Sequence, residues 1–462
     1  MTKENWLKHF IHASFWASST SYAFFAMNFL GQIILARLLI PADFGIYAFV
    51  LAIREITLIF LGFATNQTFI QSEGESADFN ASVMIVGLAC VLFFIVALIG
   101  SGLLLAVYNW QYANMFILVC LGQVLMLLGT VYLAPLERKL NYKSAALIQG
   151  GASTLSLGAA ILVAFLGMGL WSLALREVFQ GLVLLLLALY YSELYFDFHV
   201  KARGIKKQVI FGMATAVSRG LEVLYYRFPD IIIQLFLGKI ALGYFFQARY
   251  LAYLPIKLTT PFSEQVLFAY LTKIRENREQ LTWHVYWINY VILRLLFPLV
   301  LIVYFFGEQL FDFIYGPKWI IAGEYFRYFS LFILFAAMFS CLQSACYSLG
   351  KQRFVSQSYL LAILFFAIGV ITFAKGQYSA LAFSIGMIIA YSYLLICLWY
   401  EGIKIAVFKL LGKPLIVFII IWGVFHLLSL MIFIPLAIIA MILFYWYERK
   451  DLILLIKKIA GT

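Results

Sequence analysis

Charged side chains interrupt five of the long apolar stretches of this chain. They are Arg54, Glu55, Arg176, Glu177, Arg219, Glu222, Arg227, Asp230, Arg249, Lys257, Glu264 and Arg294. A charge at the centre of a bilayer costs at least ~2.5 kcal/mol, so residues of this kind face a bundle interior or a water-filled cavity rather than lipid. The set contains more bases than acids, which suits an anionic ligand.

Guanidinium and ammonium groups hold phosphate and diphosphate through charge-assisted hydrogen bonds. The depth and sign of the basic residues therefore predict a basic, water-filled cavity. Its candidate substrate-binding residues are Arg54, Arg176, Arg219, Arg249, Lys257 and Arg294.

Structural ion pairing is the alternative role for part of this set. Two pairs are spaced i,i+3 and can meet on one helix face: Arg219 with Glu222, and Arg227 with Asp230. Two other pairs are sequence neighbours: Arg54 with Glu55, and Arg176 with Glu177. Because neighbours lie about 100° apart around a helix, we expect these two pairs to find partners elsewhere.

The elements that carry these residues are predicted to be membrane spans. Hydrophobic residues make up 65% of the 462 positions and charged residues only 12%, too little polar surface for a soluble globule of this size. Apolar blocks long enough to cross a bilayer predict an all-α polytopic membrane protein of about fourteen helices. The spans are predicted near residues 12–36, 43–66, 82–107, 112–134, 145–166, 169–191, 208–237, 242–270, 284–306, 326–348, 355–374, 378–399, 411–429 and 431–447.

Basic residues concentrate on one side of this arrangement. With both termini cytoplasmic, the outer loops hold only Arg37, Lys239, Lys318 and Lys375, while the predicted cytoplasmic loops and ends are rich in lysine and arginine, except for the loop at 71–80, which carries acids and no base. The net charge of +12 then faces an anionic inner leaflet and requires no nucleic-acid partner.

Signatures of catalysis are missing from the sequence. It contains no GxxxxGK[ST] phosphate loop, no HExxH, no CxxC and no GxSxG motif. The five cysteines lie inside predicted spans without metal-ligand spacing, so we expect them to pack as small apolar residues. We therefore expect a transporter that uses no cofactor, and not an enzyme.

The chain also contains an internal repeat. QIILARLLIPADFGIYAFVLAI (32–53) and IIIQLFLGKIALGYFFQARYLAYLP (231–255) both run from a span through a short turn to a glycine, Gly45 or Gly243. The repeat predicts two parallel six-helix halves, 1–200 and 201–403, followed by two further helices in 404–462. Pro229, Pro255 and Pro261 lie in the most heavily charged spans, where they predict bends or hinges.

Four motifs in this order resemble the polysaccharide transporter branch of the multidrug/oligosaccharidyl-lipid/polysaccharide (MOP) flippase superfamily. They are LARLLIPADFG (35–45), LERKLNY (136–142), Asp230 with LGKIALGYFFQARYLAYLP (237–255), and YGPKW (315–319). The resemblance covers nearly the whole chain. Motif positions that carry over are Gly45, Asp230, Gly243, Arg249 and Pro255.

The resemblance implies two six-helix lobes in a V-shaped, MOP-type arrangement. It implies transfer of undecaprenyl-diphosphate-linked oligosaccharide repeat units from the inner to the outer leaflet of the bacterial plasma (inner) membrane, for O-antigen or exopolysaccharide synthesis. Its implied partners are membrane lipids and the polymerase and glycosyltransferases of the same pathway. It also implies coupling to H⁺, Na⁺ or membrane potential, for which the buried carboxylates Glu177, Glu222 and Glu264 are candidate sites.

Two alternatives remain open. A cation-coupled drug exporter of the same superfamily should have a net acidic lumen, whereas the deep charges are net basic. An O-antigen polymerase or ligase should carry a large outer loop with a basic catalytic cluster, which the sequence lacks.

Overall fold

A computed structural model of the chain describes residues 22–60, 76–139, 141–192, 194–197, 202–261, 267–373, 375–427 and 430–459. These residues form helices joined by short connections, and no strand occurs among them. The all-α prediction is confirmed.

Six helices occupy the first part of the described chain. They are α1 (Tyr22–Leu38), α2 (Pro41–Phe60), α3 (Ser76–Val107), α4 (Trp110–Arg138), α5 (Tyr142–Phe165) and α6 (Leu170–Tyr191). Most connections are a few residues long; Asn109, for instance, caps α4 by accepting hydrogen bonds from the amides of Gln111 and Tyr112.

Eight further helices complete the described chain. They are α7 (Ala202–Pro261), α8 (Phe268–Ile274), α9 (Arg278–Tyr315), α10 (Ile320–Ser348), α11 (Gln352–Phe373), α12 (Gly376–Tyr400), α13 (Val407–Leu427) and α14 (Leu430–Ile459). A 3₁₀ turn, Pro317–Trp319, precedes α10. Gly238, with φ of 82°, breaks the helical backbone of α7 and separates the two spans predicted on either side of it.

Every predicted span coincides with helix wherever the structure describes it, apart from the terminal residues Leu166 and Gly169, which lie in a turn. Within the described residues, ten helices are long and apolar enough to cross a membrane, and the apolar α1 is shorter. The protein is therefore a multi-pass membrane protein. Helix α2 is not among the ten, and its 20 residues include Asp43, Arg54 and Glu55.

The chain divides into two compact units. Unit 1 comprises Met1–Gln247, Phe311–Ile321 and Ala374–Gly376, and unit 2 comprises Ala248–Leu310, Ala322–Phe373 and Gln377–Thr462. The main division thus follows residue 247, inside α7, whereas the repeat places its boundary at residue 200. The division of the chain into repeat halves stays a prediction.

Within unit 1, the two motif glycines pack reciprocally. A Cβ on Gly45 would lie 1.8 Å from the carbonyl oxygen of Lys239, and a Cβ on Gly243 would lie 1.9 Å from that of Pro41. Lys239 precedes Gly243 by four residues, as Pro41 precedes Gly45. The glycine of each copy of the motif therefore packs against the backbone of the other copy. This reciprocal contact is expected of two copies related by a local two-fold axis.

A second close crossing joins α4 to α6. A Cβ on Gly122 would lie 2.5 Å from the backbone oxygen of Glu177, and a Cβ on Gly181 would lie 2.4 Å from that of Gly122. Small residues let membrane helices approach at backbone distance. This crossing holds Glu177 in the interior of unit 1.

The core of unit 2 is largely aromatic. Phe383 of α12 lies 5.1 Å from Phe332 of α10 and 6.0 Å from Phe366 of α11, measured between ring centroids. The five cysteines are buried and free, as expected for apolar packing residues.

Candidate functional site

A buried ion pair links α2 to α6 in unit 1. Arg54 Nη1 lies 2.6 Å from Glu177 Oε2, and both residues are buried. The Tyr47 hydroxyl, two turns earlier on α2, donates to the other carboxylate oxygen of Glu177 at 2.6 Å. Both oxygens of this carboxylate are therefore hydrogen-bonded, as a buried charge requires.

Glu55 extends this pair to α7. Arg227 Nε and Nη2 each lie 2.6 Å from an oxygen of Glu55, in the two-pronged geometry typical of arginine and carboxylate. Arg227 also approaches Asp230 at 3.7 Å, as its i,i+3 spacing predicts.

Arg54 and Glu55 find partners elsewhere, as expected, at Glu177 and Arg227, but they also contact each other. Arg54 Nη2 lies 3.2 Å from Glu55 Oε1. The guanidinium group is long and branched, so one arm reaches Glu177 while the other reaches sideways to its own neighbour.

Arg176, next to Glu177 on α6, has neutral partners. Its Nη1 lies 3.3 Å from Gln32 Oε1, and its Nη2 lies 3.4 Å from Asn28 Oδ1. Ser153 donates to the same Asn28 oxygen at 2.9 Å. Among the described residues Arg176 forms no ion pair with a carboxylate, and its buried Nε has no hydrogen-bond partner.

Together these residues form what we call the charge cluster: Arg54, Glu55, Arg176, Glu177, Arg227 and Asp230. It contains three bases and three acids, so its formal charge is zero, although the deep residues taken together are net basic. Phe246 packs edge-on against Tyr47 at 6.2 Å between ring centroids. A cluster of this kind can exchange a proton at a carboxylate and can offer Arg176 to an anion.

Three further candidate residues lie in unit 2, and each has aromatic neighbours. Arg249 is buried, with its guanidinium 5.9 Å from the ring centroid of Phe383. Lys257 is exposed, with its ammonium 5.7 Å from the ring of Tyr250.

Arg294, the third, is held in a separate buried network. Its Nε lies 3.3 Å from Glu448 Oε2 on α14, and its Nη1 donates to the carbonyl of Leu410 at 2.8 Å. Its guanidinium also lies 3.8 Å from the ring of Tyr290. Glu448 has no exposed surface and also binds Lys413 at 3.0 Å, so this network ties α9, α13 and α14 together.

The remaining candidates are only partly described. Glu222 is half-buried on α7. The side chain of Arg219 and the whole of Glu264 lie outside the described part of the chain.

Several residues of these networks were not singled out from the sequence. Asn28 and Gln32 carry no charge, and Tyr47 is an uncharged residue within the repeated segment 32–53. Glu448 stands beside Arg449 and Lys450, so it is interpreted from sequence as part of a cytoplasmic tail. The sequence gives only a weak indication that Glu448 is buried: it is an acid at the end of an apolar span, one helical turn after the aromatic Phe444.

A family model described as "Polysaccharide biosynthesis protein" matches residues 34–322. The chain belongs to this family. The match agrees with the polysaccharide branch named in the resemblance. The matched region includes Arg54, Arg176, Glu177 and Arg294.

Curated relatives are distant and longer. The succinoglycan biosynthesis transport protein ExoT of Rhizobium meliloti (strain 1021) is 24% identical over 309 residues, 66% of this chain and 62% of the relative. An uncharacterized membrane protein in the cps region of Klebsiella pneumoniae is 22% identical over 321 residues, 67% of this chain and 65% of the relative. The matched part of the chain thus spans less than two thirds of either relative.

Solved structures show the same fold. The lipid II flippase MurJ in an inward closed conformation matches with a TM-score of 0.71 at 15% identity, covering 94% of this chain and 99% of the other. An inward-facing multidrug resistance MATE family transporter of the MOP superfamily matches with a TM-score of 0.68 at 14% identity, covering 81% and 94%. The chain therefore shares the fold of these two transporters, which agrees with the fold that the four motifs imply.

Proposed function

We propose that this protein is a flippase that transfers undecaprenyl-diphosphate-linked oligosaccharide repeat units from the cytoplasmic to the outer leaflet of the bacterial inner membrane, by alternating access. The observation that carries the proposal is the coincidence of a polysaccharide biosynthesis family with a fold also found in a lipid II flippase. One relative is named as a succinoglycan transport protein, which fits the same role.

Arg176 is the residue of the charge cluster to which we assign the diphosphate. It is charged and half-buried, and its described partners are amide oxygens, which a phosphate replaces at no loss of an ion pair. Arg54 and Arg227 are already engaged by carboxylates. The polyprenyl chain stays in lipid, because its transfer out of an apolar phase would be unfavourable.

The coupling step is assigned to Glu177. A proton on this carboxylate would remove the negative partner of Arg54 and free one arm of its guanidinium. A proton on Glu177 would then favour the binding of an anionic substrate in the same cluster. Glu222 and Glu264 remain candidate coupling residues on α7 and beyond it.

The orientation of the chain is part of the same proposal. Both termini lie in the cytoplasm, with the outer loops at Arg37, Lys239, Lys318 and Lys375, because these loops are poor in basic residues compared with the opposite face.

A cation-coupled drug exporter is the second candidate. The MATE transporter shares the fold, and the charge cluster is neutral rather than basic, so the sign of the charges in this cluster does not argue against it. The family match favours the flippase.

The deciding experiment is a deletion strain complemented with the full chain. Surface polysaccharide is scored, and lipid-linked oligosaccharide is assigned to a leaflet with a glycan probe that cannot cross the membrane. Loss of surface glycan with accumulation in the inner leaflet supports flipping. Normal surface glycan with new sensitivity to cationic dyes supports the exporter, and single repeat units accumulating on the outer face point to a polymerase.

Arg176→Gln in this strain is expected to lower export about tenfold or more, because charged hydrogen bonds to a phosphate contribute ~1.5–3 kcal/mol. Arg176→Lys keeps the charge and should retain part of the activity. Arg37→Gln is the matched control, since Arg37 is exposed and its hydrogen bonds to described residues go to the backbone carbonyls of Phe313 and Ile314. Full export by the Arg176→Gln variant, at a normal protein level, would show that Arg176 does not bind the substrate.

A further inference from the structure

Unit 2 contains a cavity that the charge cluster does not use. Its volume is about 1190 Å³, and it lies between the first turns of α9, the connection after α12 and the first turns of α13. The residues that line it include both basic side chains and apolar or aromatic ones, a composition that fits an amphipathic ligand.

Four basic side chains line the cavity: Arg278, Lys404, Lys409 and Lys413. Glu279 is the one acid among the lining residues. Lys413 is held by Glu448, whereas Arg278 and Lys409 have no carboxylate partner within the described residues. The described lining residues therefore carry an excess of positive charge.

Aromatic side chains form one wall. Trp283, Tyr286, Trp287 and Tyr290 follow one another at i, i+3, i+4 and i+7, so they share one face of α9. Tryptophan and tyrosine of this kind are typical of the headgroup level of a membrane, where an apolar ring and a polar edge are both satisfied.

Two residues that line the cavity are held by a buried network. The hydroxyl of Tyr290 donates to Glu448, which also binds Arg294 and Lys413. Glu448 and Arg294 are buried, so this network fixes the positions of two lining residues, Tyr290 and Lys413. The site is thus built from three helices rather than from surface side chains alone.

At Ile416 the cavity adjoins a lipid-facing surface of α13. Ile416 lines the cavity and is 59% exposed, and its neighbours Leu415, Ile419 and Ile420 on α13 are also exposed. On a membrane-spanning helix, exposed aliphatic side chains contact acyl chains.

We propose that this cavity binds the headgroup of an acidic membrane phospholipid, with phosphate at Arg278 and Lys409 and acyl chains along Ile416 of α13. In the orientation proposed above, the site lies in the cytoplasmic leaflet, where acidic lipids draw basic residues. A phospholipid here would brace α13 and α14 against α9. The site goes beyond the proposed flipping of substrate and makes no use of the charge cluster.

The test is native mass spectrometry of the purified full chain in detergent, titrated with dioleoyl phosphatidylglycerol, dioleoyl phosphatidylcholine or undecaprenyl diphosphate. The double variant Arg278→Gln with Lys409→Gln removes the two cations without carboxylate partners. Its matched control is Lys273→Gln with Arg353→Gln, which removes two exposed cations that do not line the cavity. All four side chains are exposed, so both variants are expected to fold.

We expect phosphatidylglycerol to bind the unmodified chain in preference to phosphatidylcholine. The pocket variant should bind it about 30-fold more weakly, the loss expected for two basic residues facing an anionic lipid, and the control variant should bind it normally. Equal binding by the pocket and control variants would overturn the proposal. Displacement of phosphatidylglycerol by undecaprenyl diphosphate, with both lipids lost in the pocket variant, would also overturn it and make this a substrate site.

Discussion

At the scale of single residues, the partner of a buried arginine decides what that arginine can do. Arg54 faces two carboxylates, Glu55 and Glu177, so a ligand would have to compete with them. Among the described residues, the hydrogen-bond partners of Arg176 are amide oxygens. The same residue type therefore serves cohesion in one place and, in the function proposed above, anion binding in the other.

This reasoning predicts strong coupling between Arg54 and Glu177. Each single change, Arg54→Gln or Glu177→Gln, leaves a buried charge without its partner and should destabilise the protein by ~3 kcal/mol. The double variant should lose less than the sum, with a coupling of at least ~1 kcal/mol, measured by thermal unfolding of the purified protein in detergent. Additive losses would mean that the pair does not form.

A control for this cycle combines Arg54→Gln with Glu137→Gln. The Glu137 carboxylate accepts a hydrogen bond from Gln149 at 3.2 Å and has no described contact with Arg54. These two changes should add to within ~0.5 kcal/mol.

At the scale of elements, the crossing of α2 with the second half of α7 depends on two glycines. Gly45 and Gly243 each touch a backbone carbonyl of the opposite helix, and backbone yields less readily than the end of a side chain. The repeated motif thus has a packing role: each copy leaves the space that the other copy fills.

Gly45→Ala and Gly243→Ala are both expected to lower the unfolding midpoint in detergent, by the equivalent of ~1–3 kcal/mol, because an added methyl overlaps a carbonyl oxygen. Gly87→Ala is the matched control, since a Cβ at this helical position of α3 meets nothing within 4 Å. That control should be neutral or stabilising by up to ~1 kcal/mol. A stable Gly45→Ala protein would show that this crossing is looser than described.

At the scale of the whole molecule, the distribution of charge predicts how the chain lies in the membrane. Basic residues flank the spans mostly on one face, and this bias orients helical membrane proteins during insertion. Arg353 belongs to the predicted cytoplasmic face, and Lys375 to the outer face. Helix α11 connects the two positions, so they test one span directly.

A cysteine introduced at either position can be labelled from one side of the membrane, and the labelling reports the orientation of α11. The five native cysteines are buried, so their reaction with a membrane-impermeant maleimide should be low. In intact spheroplasts we expect Lys375→Cys to be labelled and Arg353→Cys to be labelled only after permeabilisation. The reverse pattern would invert the proposed topology.

Most charged residues of the candidate site could be predicted from the sequence, but the contacts between them could not. Arg54, Arg176 and Glu177 were found because a charge inside an apolar stretch has few explanations. The link from Arg54 to Glu177 joins residues 123 positions apart, and no local spacing predicts it. The prediction that Arg54 and Glu55 find partners elsewhere is confirmed, but it missed their mutual contact because it followed Cβ directions and neglected the reach of a guanidinium group.

The sequence by itself determined the helical class, the membrane location and the set of deep charges, because hydrophobic length and the energy of a charge in lipid are local properties. Only the tertiary structure decided which charges neutralise one another, that Arg294 serves to anchor α14 through Glu448, and that Arg176 is held by amides. Those outcomes depend on helices distant in sequence packing at backbone distance, as Gly122 and Gly181 allow, and packing of that kind is a property of the folded chain.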